Sequence, residues 1–324
     1  MRRCAPFAVL LALVAILVTA GVTAWSTDGF HNADDFTENL PAASDAPVTA
    51  PDPRVPEGRC GRVTYTPRTA SSRHFADLCR PEGPARGVVV LVHGGGGYSG
   101  DRDQMTGWAG WYRSQGFATL SIDYSLVGDG TPEPVFPRPE QDVKAAVQWA
   151  RLQADRLGYD TDHVLLHGAS AGARLAAEVL VTPGDPYYAG DDLWGDTPDE
   201  VNGFVGFYGY YDGDTLEADA QYGGARGDGD AEVNARWRQA DSVAHAASAT
   251  GPVLLFHGDV DGLINIAQTE RFGSALAEAG VDVTAHIVTD GDHAFDGRYG
   301  DLTTATGEDA ADQIAGWLST RFPI

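Results

Sequence analysis

A serine between two glycines follows an apolar run near the middle of the chain. Residues 168–172 read Gly-Ala-Ser-Ala-Gly, after the run 164–166 and before a helix-forming stretch at 173–178. On a sharp turn from a strand to a helix, larger flanking residues would collide with the adjoining elements, so small ones are needed. The start of the helix offers a backbone N–H group and a favourable dipole to a developing oxyanion. Ser170 is therefore a candidate nucleophile.

Two later segments contain the groups that a serine nucleophile requires. A serine hydroxyl needs an imidazole to accept its proton and a carboxylate to orient that imidazole. Asp261 follows the apolar run 254–256, and His293 lies in a loop after the last predicted strand. Ser, Asp, His is one of the chain orders in which such triads occur. We predict Ser170 as nucleophile, His293 as base and Asp261 as the orienting acid.

Other acids and histidines are less well placed for these roles. Asp259 comes immediately after Gly258, where it is placed to cap the turn, so Asp261 is preferred as the acid. Five of the nine histidines lie in or beside predicted strands and are interpreted as packed, hydrogen-bonded or loop-bracing residues: His93, His163, His167, His257 and His286.

A run of four glycines, residues 94–97, follows the apolar run 88–92. Successive glycines let backbone N–H groups point at one spot and let a substrate carbonyl approach closely. We predict that the N–H groups of Gly95, Gly96 and Ala171 form an oxyanion hole. An ordinary flexible turn is the alternative interpretation of the glycine run.

Short apolar runs alternate with amphipathic stretches from about residue 62 onward. The pattern predicts strands at 87–92, 118–123, 163–167, 201–208, 253–257 and 282–288. Helices are predicted at 101–115, 139–157, 171–180, 267–279 and 309–320. Strands that are apolar throughout are buried on both faces. The alternation therefore predicts an α/β domain at 58–324, with a mostly parallel central sheet and helices on both faces.

Residues 209–240 interrupt this alternation. The stretch is rich in glycine and aspartate and has weak apolar content. Insertions of this length are functional lids or mobile segments. We predict a solvated insertion that could act as a lid; a calcium site is the less favoured alternative, because the carboxylate spacing matches no known cation-binding loop.

The N-terminal segment has the features of an export signal. Two arginines precede an uncharged apolar run that ends in small residues. We predict a signal peptide at 1–24, with a retained membrane anchor as the alternative, and a disordered linker at 25–57. No later segment is long and apolar enough to span a membrane, so the protein is predicted to be secreted or otherwise extracytoplasmic.

Removal of the signal leaves two cysteines, Cys60 and Cys79. An even pair in an oxidising compartment suggests one disulfide bond. Two buried or free thiols are the alternative, because sequence spacing alone cannot show that two sulfur atoms meet.

Composition excludes several classes of function. The formal net charge is -24, which disfavours nucleic acid as a partner. Lys144 is the only lysine, so the glycine run cannot be part of a phosphate-binding loop that ends in lysine. No cofactor and no metal ion are predicted, and the sequence carries no signal for an oligomeric state.

Six short motifs occur together over roughly residues 85–320. They are His93-Gly94-Gly95-Gly96, Asp123-Tyr124-Ser125-Leu126, Phe136-Pro137-Arg138-Pro139, Gln141-Asp142-Val143, Ser170-Ala171-Gly172 and His257-Gly258 followed by Asp261. Together they resemble the esterase/lipase branch of the α/β-hydrolases that contains hormone-sensitive-lipase-like and feruloyl-esterase-like enzymes. Ser125 and Ala173 depart from the pattern of this family, where arginine and glycine are usual.

The resemblance implies an α/β-hydrolase fold and cleavage of a small-molecule or polymer-borne carboxylic ester through an acyl-serine intermediate. Two alternatives stay open. One is an exported peptidase or amidase that uses the same triad, and the other is a catalytically inactive binding module. The motifs specify acyl transfer but not a substrate.

Overall fold

The computed structural model describes residues 50, 52–67, 73–190, 193–214, 218–227, 229–297, 302 and 304–323. The predicted signal peptide at 1–24 and most of the predicted linker at 25–57 lie outside the described residues. Within the described ranges, no helix has the length and apolar character needed to cross a membrane.

The centre of the fold is an eight-stranded sheet. The strands are β1 (Cys60–Thr64), β2 (Phe75–Cys79), β3 (Val88–Val92), β4 (Ala118–Ile122), β5 (Val164–Ala169), β6 (Gly203–Phe207), β7 (Val253–Gly258) and β8 (Val283–Val288). Their order in the sheet is β1-β2-β4-β3-β5-β6-β7-β8. Strands β3 to β8 pair in parallel, and β1 and β2 form an antiparallel extension beside β4.

Helices cover both faces of this sheet, as the sequence pattern predicted. The α-helices are α1 (Thr106–Ser114), α2 (Arg138–Leu157), α3 (Ala171–Val181), α4 (Ala218–Tyr222), α5 (Ala231–Gln239), α6 (Ala267–Glu278) and α7 (Ala305–Arg321). Along β3, Val88, Val90 and Val92 pack into one core with α2, α3 and α6, while Val89 and Leu91 pack into a second core with α1 and α7. Side chains alternate because successive residues of a strand point to opposite faces. The predicted α/β-hydrolase fold is confirmed.

The described part of the 209–240 stretch differs from the solvated insertion expected. It contains α4 and α5, which enclose a small aromatic core; the rings of Tyr222 and Trp237 lie 4.5 Å apart. Asp230 caps α5 by accepting from the N–H groups of Glu232 and Val233. A few large aromatic residues bury enough area to order the segment although its average composition is polar.

A disulfide bond joins Cys60 and Cys79, which face each other on β1 and β2. Their sequence separation is 19 residues. Closing a loop of this size removes conformational entropy from the unfolded chain, and this stabilises the folded state by about 3 kcal/mol.

Replacement of both Cys60 and Cys79 with serine should therefore lower the free energy of unfolding by about 3 kcal/mol, measured by urea denaturation. Wild-type protein treated with a reductant is the matched control and should unfold at the same urea concentration as the double variant. An unchanged midpoint in both samples would contradict the prediction.

A charged cluster is buried between α2 and α3. Arg174 lies 2.6 Å from Glu178 and 3.0 Å from Glu140, and all three side chains are almost inaccessible to solvent. Burial raises the pKa of Glu178 well above its usual value, and the nearby Glu140 carboxylate raises it further, although Arg174 acts in the opposite direction. One arginine neutralises one carboxylate, so the second carboxyl group is more stable with its proton.

We expect Glu178→Gln to remove part of the pH dependence of stability. As pH rises above the ordinary glutamate pKa, the unfolded chain releases a proton that folded Glu178 retains, so the wild type loses up to about 1.4 kcal/mol per pH unit. Glutamine has nearly the shape of an uncharged glutamic acid but does not ionise, so Glu178→Gln should not lose stability in this way. Urea denaturation at about pH 5 and about pH 8 should show a smaller decline for Glu178→Gln than for the wild type. The exposed control Glu270→Gln should follow the wild type.

Candidate active site

Ser170 occupies the turn between β5 and α3 with a strained backbone. Its φ and ψ angles are 55° and -119°, although the residue carries a Cβ atom. Such conformations cost about 1–3 kcal/mol and persist only where the surroundings enforce them. Here β5 and α3 fix the chain on both sides, so the hydroxyl is held at the carboxyl end of the parallel strands.

The flanking glycines are required by close backbone contacts. A Cβ atom at Gly168 would overlap the backbone of Gly172, and one at Gly172 would overlap the carbonyl oxygens of Val92 and His93. The glycine after the serine therefore lets α3 begin directly against the end of β3. This contact also brings the start of the glycine run beside Ser170.

The structure brings the three predicted triad residues together. The Nε2 atom of His293 lies 3.2 Å from the Oγ atom of Ser170, and its Nδ1 atom lies 2.9 Å from Oδ2 of Asp261. With the proton on Nδ1, the imidazole donates to Asp261 and accepts from the serine hydroxyl. This arrangement can withdraw a proton from Ser170.

Asp261 is held by four hydrogen-bonding groups. Its Oδ1 atom accepts from the backbone N–H groups of Leu263 and Ile264, both at 2.8 Å. Its Oδ2 atom lies 2.9 Å from His293 and 3.3 Å from Nε2 of His257. Burial alone would raise the pKa of Asp261, but the hydrogen bonds from His257, His293 and Ile264 hold it well below its usual value. The carboxylate is therefore ionised and fixed in direction, while Asp259 is exposed.

His257 contributes more to this site than its position at a strand end indicated. It is fully buried, its Nδ1 atom lies 2.7 Å from the Thr269 hydroxyl, and its Nε2 atom lies 2.9 Å from the carbonyl oxygen of Ile264. Sequence reasoning identified His257 as a residue that braces a loop but missed its contact with Asp261. That contact depends on how the loop folds back, which no local pattern indicates.

The loops that carry the acid and the imidazole are tied to each other. The Oδ1 atom of Asp292 accepts from the N–H group of His293 at 2.7 Å and from that of Gly262 at 3.1 Å. The two loops touch at Gly258 and Gly291, where a side chain on Gly258 would overlap the carbonyl group of Gly291. The distance between Asp261 and His293 is thus set by this backbone contact and by the Asp292 carboxylate that joins the two loops.

The glycine run forms a tight turn beside Ser170. Gly95 and Gly96 have φ angles of 111° and 68°, in the region that favours glycine. The carbonyl oxygen of Gly95 accepts from the N–H groups of Tyr98 and Ser99. Ala171 is the first residue of α3, and the first N–H groups of a helix have no partner within it. These are the groups that the sequence predicts as oxyanion donors.

His93 anchors the start of this turn. It stacks on Tyr124 with ring centroids 4.2 Å apart, and the Tyr124 hydroxyl donates to the carbonyl oxygen of His93 at 2.9 Å. Burial lowers the pKa of His93 to about 4, so its ring is neutral near pH 7. The contacts hold the backbone from which the glycine run departs.

Comparison with known proteins identifies the family. The BD-FAE family model matches residues 77–276, a span that includes Ser170 and Asp261. The chain belongs to the BD-FAE family. The resemblance to feruloyl-esterase-like and hormone-sensitive-lipase-like proteins predicted from the motifs is confirmed.

Relatives of this BD-FAE protein include two mycobacterial esterases. Esterase LipC of Mycobacterium tuberculosis is 30% identical over 225 residues, which are 64% of this chain and 53% of LipC. Esterase LipQ of the same organism is 27% identical over 236 residues, which are 67% of this chain and 53% of LipQ. The chain thus spans about half the length of these curated relatives.

Solved structures share the fold of this BD-FAE protein. A thermophilic esterase from Thermogutta terrifontis with bound propionate has a TM-score of 0.68 at 18% identity, covering 80% of this chain and 93% of that one. An acetyl ester-xyloside bifunctional hydrolase from Caldicellulosiruptor lactoaceticus has a TM-score of 0.68 at 19% identity, covering 84% and 99%. At these identities the likeness establishes the fold.

Proposed function

We propose that this BD-FAE protein hydrolyses carboxylic esters through an acyl-serine intermediate. The observation that carries the proposal is the hydrogen-bonded series from Ser170 through His293 to the ionised Asp261, placed at a strained turn beside the glycine run. A hydroxyl, a base and an orienting acid in this order are the parts that nucleophilic acyl transfer needs. The esterases among its relatives support the same chemistry.

In the first half of the proposed reaction, the Ser170 oxygen attacks the ester carbonyl carbon while its proton passes to Nε2 of His293. The carbonyl oxygen becomes an oxyanion and accepts hydrogen bonds from the N–H groups of Gly95, Gly96 and Ala171. The intermediate collapses when the bond to the alcohol oxygen breaks and His293 returns the proton to that oxygen. The alcohol departs and the acyl group remains on Ser170.

In the second half, a water molecule replaces the alcohol. His293 accepts a proton from the water, whose oxygen attacks the acyl carbon, and the same N–H groups stabilise the second oxyanion. Return of the proton to the Ser170 oxygen releases the carboxylic acid. Asp261 stabilises the imidazolium ion in both halves and keeps its own charge throughout.

A fluorophosphonate probe tests the proposed nucleophile. Protein without residues 1–24 should be labelled on Ser170, located by mass spectrometry of the peptides, and should hydrolyse p-nitrophenyl acetate or butyrate. Heat-unfolded protein is the control for nonspecific labelling. Folded protein that is neither labelled nor active would refute the proposal and favour a binding module.

The ester specificity can be resolved by a panel of substrates. The solved structures that share the fold include an esterase with bound propionate and an acetyl ester-xyloside bifunctional hydrolase, so we propose short-chain acyl esters, with acetylated sugars among the candidates. An acyl-length series with an acetylated xyloside and a feruloylated sugar should show higher kcat/KM for esters than for matched aminoacyl anilides. A preference for the anilides would indicate the amidase alternative.

We also propose that the protein acts outside the cytoplasm. The disulfide between Cys60 and Cys79 is of the kind that persists in oxidising compartments, and residues 1–24 are predicted to direct export. Expression of the full chain followed by cell fractionation should place a protein with an intact disulfide and without residues 1–24 outside the cytoplasm. Uncleaved protein in the membrane fraction would indicate the retained anchor instead.

A further inference from the structure

A second carboxylate is buried close to the imidazole of His293. Asp296 has no exposed surface, and its Oδ1 atom accepts from the hydroxyl group of Tyr208 at 2.7 Å. Its Oδ2 atom accepts from the indole N–H group of Trp108 at 3.0 Å. The indole N–H donates to one oxygen of Asp296 and the Tyr208 hydroxyl donates to the other, so both oxygens act as acceptors, as in an ionised carboxyl group.

Tyr208 connects this carboxylate to the proposed site. Its ring centroid lies 4.7 Å from that of His293, and its hydroxyl group donates the hydrogen bond to Asp296. The backbone of Tyr208 has a φ angle of 39°, which is uncommon for a bulky residue. The position directly after β6 and the bond to Asp296 together fix the ring against the imidazole.

Burying a carboxylate among neutral donors is unfavourable unless a nearby positive charge offsets its loss of hydration. Burial raises the pKa of Asp296, while the bonds from Tyr208 and Trp108 act in the opposite direction. The nearest source of positive charge in the proposed reaction is His293, with which Asp296 interacts electrostatically. That positive charge exists only while the imidazole holds the proton of Ser170.

We propose that Asp296 is a second positioning acid of the site, which fixes the ring of Tyr208 against His293 and stabilises the imidazolium ion as it forms. The inference rests on the proposed function, because it assigns Asp296 a role through His293. Asp261 contacts the imidazole directly, whereas Asp296 acts through Tyr208 and through its charge.

Several charged or titratable groups surround His293, and a test must distinguish the effect of Asp296 from theirs. Asp261 contacts Nδ1 from the loop after β7, and Asp292 accepts from the backbone N–H of His293 in its own loop. Tyr208 packs on the ring from the end of β6, and Ser170 approaches Nε2 from the turn before α3. Asp261, Asp292 and Ser170 each share a hydrogen bond with His293, whereas Asp296 and Tyr208 can be changed without removing one.

The test is the pH profile of kcat/KM for Asp296→Asn with p-nitrophenyl acetate. Asparagine can keep both hydrogen bonds, accepting from Trp108 and donating to the Tyr208 oxygen, while it removes the charge. Loss of the charge should remove a stabilising interaction with the imidazolium ion, an effect of up to about tenfold. The acid limb of the profile should therefore move to lower pH, while kcat on the plateau falls by up to about tenfold because the imidazolium is less stable.

Controls distinguish this role from a structural one. Asp312→Asn removes an exposed carboxylate from α7 and should leave the profile unchanged. Tyr208→Phe keeps the ring on His293 but removes the hydroxyl group that donates to Asp296. The acid limb of the profile should therefore move in the same direction as in Asp296→Asn, but by less. If Asp296→Asn does not fold, Tyr208→Phe decides the question. An acid limb that stays in place, even with slower turnover, would overturn the proposal.

Failure of the proposed function would look different. If Ser170→Ala, assayed beside these variants, kept wild-type turnover, the acyl-serine mechanism itself would be wrong. If Ser170→Ala were inactive and Asp296→Asn had a wild-type profile, only the role of Asp296 would be lost.

Discussion

Replacement of Ser170 with alanine is expected to reduce kcat for ester hydrolysis by roughly four to six orders of magnitude. The hydroxyl oxygen is the atom that would form the acyl intermediate, and it is the group that lies within hydrogen-bond distance of Nε2 of His293. Alanine retains the Cβ atom, so the strained turn changes little and the fold should be preserved. Initial rates with p-nitrophenyl butyrate, together with a circular dichroism spectrum, measure both effects.

The matched control for Ser170→Ala is Ser114→Ala, at the exposed end of α1. It removes the same group from a place that contacts none of the proposed site and should have wild-type kcat. Fluorophosphonate labelling should persist in Ser114→Ala and disappear in Ser170→Ala. Wild-type turnover by folded Ser170→Ala would end the assignment of this residue as nucleophile.

The sequence was informative where one residue and its neighbours determine the geometry. Gly168 and Gly172 indicated the turn around Ser170, because any side chain at either position meets backbone. The uniformly apolar strand β3 indicated a sheet covered on both sides. These features depend on local sterics and on burial, both of which leave a pattern along the chain.

Features that depend on contacts distant in sequence were missed. The hydrogen bond from Trp108 to Asp296 spans 188 residues, and the bond from Tyr208 to Asp296 spans 88. The antiparallel strands β1 and β2 also went unpredicted, because short strands of mixed burial lack a strong apolar pattern. Helices α4 and α5 were hidden by the glycine and aspartate around them, although Tyr222 and Trp237 supply their core.

The same distinction applies within the proposed triad. Chain order and turn position indicated Ser170 and His293 directly, whereas Asp261 had a close rival in Asp259. What separates the two acids is the loop after β7, which turns Asp261 inward and leaves Asp259 exposed. This difference can be tested by changing each carboxylate in the same way.

Asp261→Asn is expected to lower kcat by about ten-thousandfold with little change in KM. Two backbone N–H groups donate to Oδ1 of Asp261, so the asparagine oxygen should stay there and its NH₂ group should face Nδ1 of His293. The imidazole would then accept at Nδ1 and carry its proton on Nε2, where it cannot accept the proton of Ser170. Because substrate would still meet the same oxyanion donors, the loss should fall on kcat.

Asp259→Asn is the matched control, since it makes the same change two residues away on an exposed side chain. We expect wild-type kcat for Asp259→Asn and equal urea midpoints for Asp259→Asn and wild type. If Asp259→Asn were the slow variant and Asp261→Asn the fast one, the orienting acid would be Asp259. If Asp261→Asn lost stability but kept its kcat, then the hydrogen bond from His293 to Asp261 would stabilise the loop and would not orient the imidazole for catalysis.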